Sequence, residues 1–290
     1  MKVAVIGPGA IGGMVAAWLL QRPELDVTLC ARTPFERLVV DVPGDRTLES
    51  TPRVLVDPDS ATPVDWILSV TKTYDTDRAA RWIERLRGPA TRLAVIQNGV
   101  EHRERFAHVM PPERILPVII DIPAERSAPG RIRQRRHGDL HVPAGPLGES
   151  FRELFEGTPL APNLTGDFLT AAWRKLALNS AGIVHALTQK PARVVRNEKA
   201  AAVMRAIAEE TIAVGRAEGA KLGDEVANEV LERLRRSAPD SVSSFLADRL
   251  ARRPMEIDAR NGVVVRLGQK HGIPTPLSAM AVALLEAAIE

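Results

Sequence analysis

A doubly wound parallel α/β sheet followed by an all-α domain is the fold class this sequence predicts, and three observations carry it. Short β-branched runs alternate with helical or turn-rich stretches from Met1 to about Val142. Ala- and Leu-rich segments with helical spacing fill the second half, where strand-like alternation is missing. The length of 290 residues favours two domains, each able to bury its own core.

The strand candidates are Lys2–Ile6, Asp26–Cys30, Asp65–Val70, Arg92–Ile96 and Ile115–Ile120. Between Pro143 and Gly166 the chain turns rich in Pro and Gly around one amphipathic turn at Phe151–Phe155, which reads as a linker. The boundary is placed there, giving domains 1–165 and 166–290. The helix candidates beyond it are Asp167–Gln189, Glu198–Glu218, Asp224–Arg236, Ser243–Arg252, Glu256–His271 and Thr275–Glu290.

Hydrophobic residues make up 45% and charged residues 26%, an ordinary globular balance. With 39 basic and 36 acidic residues the net charge is +3, too small a surplus to demand a nucleic-acid partner. The one strong charge run, Arg131-Ile-Arg-Gln-Arg-Arg136, suits an exposed strand in a hairpin, at a solvated or protected edge. The single cysteine, Cys30, cannot form an intrachain disulfide. No signal peptide is visible and no apolar run reaches the ~18 residues of a membrane span, so a cytoplasmic protein is expected. No C-x-x-C or H-E-x-x-H is present and the histidines are scattered, so the chemistry is expected to be metal-free.

The first chemical motif is Gly7-Pro-Gly-Ala-Ile-Gly12, a G-x-G-x-x-G directly after a strand pattern and directly before a helical one. Gly7 permits the tight turn, Gly9 lets the backbone approach a pyrophosphate, and Gly12 lets the helix pack closely on the sheet. The helix N-terminus offers unpaired N–H groups to the anion. Gly7, Pro8, Gly9, Ala10, Ile11 and Gly12 are therefore candidate cofactor-binding residues in a Rossmann-like domain. The second strand ends Cys30-Ala-Arg-Thr33. Asp26 opens that strand, at the wrong edge of the sheet to reach a ribose, whereas Arg32 stands at the right edge to accommodate a 2′-phosphate. The expected cofactor is NADP(H).

Two further signals follow later strands: Thr71-Lys72-Thr73, and Gln97-Asn98-Gly99. Singly, Lys72 reads as a solvated loop lysine and Asn98 as an ordinary Asn-Gly turn residue. In the second half, Lys175 and Asn179 are spaced i, i+4 and share a helix face. Glu256 could be no more than the i, i+4 partner of Arg260, and Ser243 and Ser244 no more than caps of the helix that starts near Phe245.

Taken together, these features resemble the ketopantoate reductase (2-dehydropantoate 2-reductase) family. The likeness rests on the glycine fingerprint, the lysine after the fourth-strand region and the Asn-Gly loop. It continues through Trp173-Arg-Lys175-Leu-Ala-Leu-Asn179, Ser243-Ser244, Glu256-Ile-Asp258, Asn261-Gly262 and His271-Gly-Ile-Pro-Thr-Pro276, covering nearly the whole chain in order. The resemblance implies an NADPH-dependent reduction of a 2-oxo acid, ketopantoate to (R)-pantoate, in pantothenate and coenzyme A biosynthesis. By the same resemblance Lys175 is the general acid and Glu256 holds and polarises it. Asn179 faces the substrate, Ser244 hydrogen-bonds the substrate carboxylate, and Asn98 bridges nicotinamide ribose and substrate. Lys72 lies near the phosphate-bearing ribose or the nicotinamide edge, and Asn98 and Glu256 also count among the cofactor-binding residues.

One departure concerns the substrate. Where the family usually shows a second asparagine one turn after the first, this chain has Ile183, which removes a hydrogen-bond partner for the substrate hydroxyl; Ser180 is a nearby candidate to compensate. Two other readings stay open: a related hydroxy-acid dehydrogenase acting on another small 2-oxo or 3-hydroxy acid, and a non-catalytic NADP-binding sensor. The helical half leaves room for a homodimer.

Overall fold

The structure, a computed structural model, describes residues 1–289. By contacts the chain divides into two compact units: Met1–Gln97 with Glu101–Phe168, and Asn98–Val100 with the chain from Leu169 onward.

In chain order the first unit begins with β1 (Lys2–Ile6), α1 (Ala10–Leu19), β2 (Asp26–Cys30), β3 (Leu38–Val42), β4 (Arg46–Ser50), β5 (Arg53–Leu55), β6 (Trp66–Ser69), α2 (Thr76–Leu86), β7 (Arg92–Val95) and β8 (Ile115–Pro117). It continues with β9 (Ile119–Asp121), β10 (Ala124–Ala128), β11 (Arg131–Gln134), β12 (Asp139–Pro143), α3 (Pro146–Glu153) and β13 (Asn163–Thr165). The main sheet has six strands in the order β5-β2-β1-β6-β7-β8, every neighbouring pair parallel. Strand order therefore reverses between β1 and β6, the switch point at which such sheets bind ligands outside their carboxyl ends. Ile6 is in register with both Cys30 and Ser69, and Ser69 with Val95, so the turns after four strands emerge along one edge.

The two faces of this sheet are covered differently. On one, α2 is strongly amphipathic and buries Ala79, Trp82, Ile83 and Leu86 with Phe106 and Met110 against Ile67 and Leu93. On the other, α1 is apolar all round and buried from Gly12 to Leu19. It packs against the parallel sheet and also against a four-stranded sheet, β10-β11-β3-β4, that the sequence reading did not foresee. A helix apolar on every side needs two such partners. The contact is close: a Cβ on Gly13 would lie 2.0 Å from Cδ1 of Ile132 on β11.

Three expectations are corrected here. The Arg131–Arg136 run does form a hairpin with β10, but β11 is an internal strand, paired on its other side with β3, rather than an edge. Its alternation turns Ile132 and Gln134 inward, where Gln134 accepts from Trp18 Nε1 at 3.3 Å, and leaves Arg131 and Arg133 in solvent. The 115–120 strand is two strands in different sheets, β8 in the parallel sheet and β9 in a three-stranded sheet, β13-β12-β9. The 143–166 stretch is no linker. It carries α3 and β13, and Phe151, Leu154 and Phe155 are fully buried in the first unit's core, with Phe151 5.3 Å from the Trp66 ring.

The second unit is helical throughout: α4 (Phe168–Ala181, its first residue shared with the first unit), α5 (Ile183–Thr188), α6 (Glu198–Ala217), α7 (Val226–Arg236), α8 (Ser244–Leu250), a π-helical turn at Asp258–Gly262, α9 (Val263–His271) and α10 (Pro276–Ala287). The expected 167–189 helix is broken at Gly182, and Ile183 starts the next one. The core gathers Trp173, Leu176, Ala177, Ile183, Met204, Ile207, Phe245, Val263 and Leu285. Among the described residues no helix is long and apolar enough to cross a membrane.

Candidate active site

In the first unit, the fingerprint residues form the turn and first helical turn at the carboxyl end of β1. Gly7 has φ +83°, a left-handed value that a side chain would strain, and its N–H donates to the Cys30 carbonyl at 3.0 Å, tying the turn to the end of β2. A Cβ on Gly12 would stand 2.2 Å from the Gly7 carbonyl oxygen, so the helix can start this close to the turn only with glycine there. Gly9 differs: a Cβ built on it meets nothing nearer than the Gly7 carbonyl oxygen at 4.0 Å. There is open space on that side of Gly9, and Gly9 places no side-chain cap on the amides of the first turn of α1. An open backbone cradle at an uncapped helix N-terminus fits the pyrophosphate of a dinucleotide.

Along the same edge, Arg32 follows β2 and is exposed, 3.9 Å from Asp75, a carboxylate that Arg78 also approaches at 3.7 Å. Arg78, on α2, is a second cation beside Arg32 that the sequence reading missed. Asp26 begins β2, at the opposite end of the strand from Arg32. After β6, Lys72 immediately precedes a 3₁₀ turn, Thr73–Asp75, its carbonyl accepting from Asp75 N–H at 3.0 Å. After β7, buried Gln97 donates to Thr71 Oγ1 at 3.1 Å and so joins the loops that follow β6 and β7. Burial pushes the thiol of Cys30, the last residue of β2, up to about 12, which leaves it an inert core group.

The second unit holds the other candidates. Asn179 lies on α4 one turn after Lys175, and its Nδ2 donates to Oδ1 of Asn98 at 3.3 Å. The Nδ2 of Asn98 in turn donates to Oε2 of Glu256 at 2.8 Å, and Glu256 is buried. Three residues far apart in the chain thus form one hydrogen-bonded row. Asn261 fixes the π turn to α4 by donating to the Ser180 carbonyl at 3.2 Å. A π turn in this position is a common device for re-aiming side chains at functional sites.

The two serines separate cleanly. Ser243 is the N-cap of α8, its hydroxyl accepting from Leu246 N–H at 3.2 Å, whereas Ser244 accepts from Nη2 of Arg260 at the same distance. Arg260 is the residue that sequence reasoning undervalued. It is buried, and its guanidinium carbon sits 4.5 Å over the Phe245 ring, so it is no surface partner of Glu256. Burial pushes Arg260 below its ordinary pKa while the charges of Glu256 and Asp248 pull it back. Its spacing from Glu256 was the available signal, and only burial distinguishes the two meanings of that spacing. His185 is buried as well, and burial first, then the charge of Arg260, holds its pKa below the ordinary value.

Both positions raised for the substrate side are buried. Ile183 is fully buried in the helical core. Ser180 is also fully buried, sharing its hydroxyl with Thr211 at 2.7 Å and the Ala177 carbonyl at 3.1 Å, so it is spent on helix packing and cannot replace the asparagine. A cavity of about 550 Å³ lies over the four-stranded sheet, lined by Arg37, Asp41, Thr47, Glu49 and Arg131 among others, and contains none of the candidate residues.

A glycine-rich turn on a doubly wound parallel sheet, carried in one chain with a helical unit that joins two amides and a buried carboxylate, marks the class of a nicotinamide-dependent oxidoreductase. The chain belongs to the ketopantoate reductase family: residues 3–146 match Ketopantoate reductase PanE/ApbA and residues 167–290 match its C-terminal counterpart. It is 54% identical over 287 residues to 2-dehydropantoate 2-reductase of Caulobacter vibrioides, covering 99% of each chain. It is 40% identical to the enzyme of the same name from Mycobacterium tuberculosis, over 99% of this chain and 97% of that one. The crystal structure of a PanE/ApbA family ketopantoate reductase from Ralstonia eutropha JMP134 superposes with a TM-score of 0.91 at 30% identity, over 100% of this chain and 98% of that one.

Proposed function

We propose that this protein reduces ketopantoate to (R)-pantoate with NADPH, a cytoplasmic step of pantothenate and coenzyme A biosynthesis. The observation that carries the reading is the hydrogen-bonded row Asn179, Asn98 and Glu256, with Lys175 one helical turn from its first member. The full-length likeness to 2-dehydropantoate 2-reductases supports it.

When bound, the reduced nicotinamide supplies a hydride to C2 of the 2-oxo acid. Lys175 gives a proton to the C2 oxygen, completing the hydroxyl, and its charge stabilises the oxyanion as it develops. The carboxylate of Glu256 holds Lys175 in place and polarises it. Asn98 and Asn179 orient the reacting carbonyl, and Ser244 donates to the substrate carboxylate. At the other end of the cofactor, the Gly7–Gly12 turn and the first amides of α1 hold the pyrophosphate, while Arg32 takes the 2′-phosphate and Lys72 the ribose that bears it.

The test is the loss of nicotinamide absorbance with NADPH and with NADH, for ketopantoate beside a panel of other 2-oxo acids. Turnover fastest with ketopantoate and NADPH is expected. Turnover only with another acid would keep the chemistry and change the substrate. NADPH binding without any turnover would overturn the reading in favour of a sensor.

A further inference from the structure

Arg260 is 5% exposed and lies in the π turn that follows Glu256. Its Nη2 donates to Ser244 Oγ at 3.2 Å, and its Nε has no hydrogen-bond partner among the described residues. A guanidinium can only donate, and it keeps its proton at any working pH. The polarity of the contact is therefore fixed, with Ser244 Oγ as acceptor. The hydroxyl hydrogen must then point away from Arg260, and Ser244 is an exposed residue. Because Ser243 already caps α8, Ser244 has no capping duty to compete with this arrangement.

The charge behind Ser244 lies among carboxylates that it shares with other groups. The two carboxylates that support it electrostatically have other donors: Asn98 bonds Glu256, and Arg253 bonds Asp248 at 2.9 Å. Burial, followed by the charge of Arg260, holds the nearby His185 imidazole below its ordinary pKa and so disfavours a second charge beside Arg260. The buried guanidinium is held by the Phe245 face, the Ser244 hydroxyl and the charges of Glu256 and Asp248, and of these groups Ser244 is the exposed one.

We infer that Arg260 is a positioning residue for the carboxylate end of the substrate, presenting the Ser244 hydroxyl as an obligate donor and backing it with a buried positive charge. The inference rests on the reading of the chain as a reductase of a 2-oxo acid. It adds a residue that selects acids over their neutral counterparts, one that acts through Ser244 without touching the substrate.

The experiment is calorimetric binding of pantoate, and of its uncharged cyclic ester pantolactone, to the protein loaded with NADP⁺. The wild type should prefer the carboxylate. Arg260→Met should weaken pantoate about ten- to a hundredfold, as expected when a charged hydrogen-bond partner is lost, and leave pantolactone and NADP⁺ unchanged. In kinetics the same variant should raise KM for ketopantoate more than it lowers kcat. Ser244→Ala should weaken pantoate too, and the double variant should lose less than the sum of the singles, because one residue acts through the other. If Arg260→Met does not fold, Arg260→Lys carries the test, with a several-fold loss for pantoate alone.

Unchanged pantoate affinity in either variant, or equal losses for acid and lactone, would overturn the inference while turnover of ketopantoate by the wild type leaves the proposed function standing. A wild type that neither binds pantoate nor reduces ketopantoate would overturn both.

Discussion

Asn98 donates to Glu256 across 158 residues of sequence, at 2.8 Å, and uses the other end of the same amide to accept from Asn179. A neutral amide can give to a carboxylate with its NH₂ and accept from another amide with its oxygen, whereas a carboxylate can only accept. Asn98→Asp keeps the shape and reverses the donor, setting one carboxylate against another. A charge-assisted bond of this kind is worth about 1.5–3 kcal/mol, so kcat should fall about ten- to a hundredfold in steady-state assays. A variant with wild-type kcat would show that the row is structural and not part of the chemistry.

Lys175 shares its helix face with Asn179, and its assigned task is proton delivery. Lys175→Ala should lower kcat by about 10²–10⁴, the usual contribution of a general acid, with NADPH affinity measured by fluorescence titration close to that of the wild type. Near-normal turnover would remove Lys175 from the mechanism. A parallel loss of NADPH affinity would instead point to damage in the fold.

What the sequence made legible divides along the distance between interacting residues. β1 and β2 match the expected Lys2–Ile6 and Asp26–Cys30 residue for residue, because a buried parallel strand announces itself as a short apolar run. The fingerprint was legible because its glycines answer local demands of backbone geometry. The four-stranded sheet was not, since β3 and β11 pair across a long stretch of chain, and the only local trace of it was the apolar circumference of α1. Composition misled at 143–166, where Pro and Gly mark turns but say nothing of Phe151 and Phe155 filling the core. The site shows the same division. The face shared by Lys175 and Asn179 follows from helical spacing, whereas the bond from Asn98 to Glu256 and the burial of Arg260 depend on tertiary packing.

Arg32 tests the cofactor assignment. It stands beyond the end of β2 with Asp75 and Arg78 beside it, an exposed group whose loss should not disturb the core. Arg32→Asp places a negative charge where the 2′-phosphate is assigned and leaves the rest of the cradle intact. The ratio of kcat/KM for NADPH over NADH should fall at least about tenfold, the equivalent of ~1.4 kcal/mol, mostly through a higher KM for NADPH. An unchanged ratio would refute the assignment.

His185 gives the expectation with a sign in pH. Both ring nitrogens are buried and without hydrogen-bond partners among the described residues, and burial, followed by the charge of Arg260, depresses the folded-state pKa. Above the ordinary histidine pKa of about 6.5, folded and unfolded chains are both neutral at this position and stability is unaffected. Below it the unfolded chain takes up a proton that the folded chain refuses, so stability declines as pH falls from that value toward the depressed one. His185→Leu removes the proton site along with the unpaired nitrogens. At pH about 7.5 it should be nearly neutral, because replacing an unpaired buried polar group by an apolar one recovers desolvation. At pH about 5.5 it should be the more stable protein, since every other titratable group is common to both chains. Urea denaturation of the two proteins at both pH values measures the difference directly. A wild type that loses no more stability than the variant on acidification would mean that His185 is protonated in the folded chain, with an anion or a solvent path reaching it there.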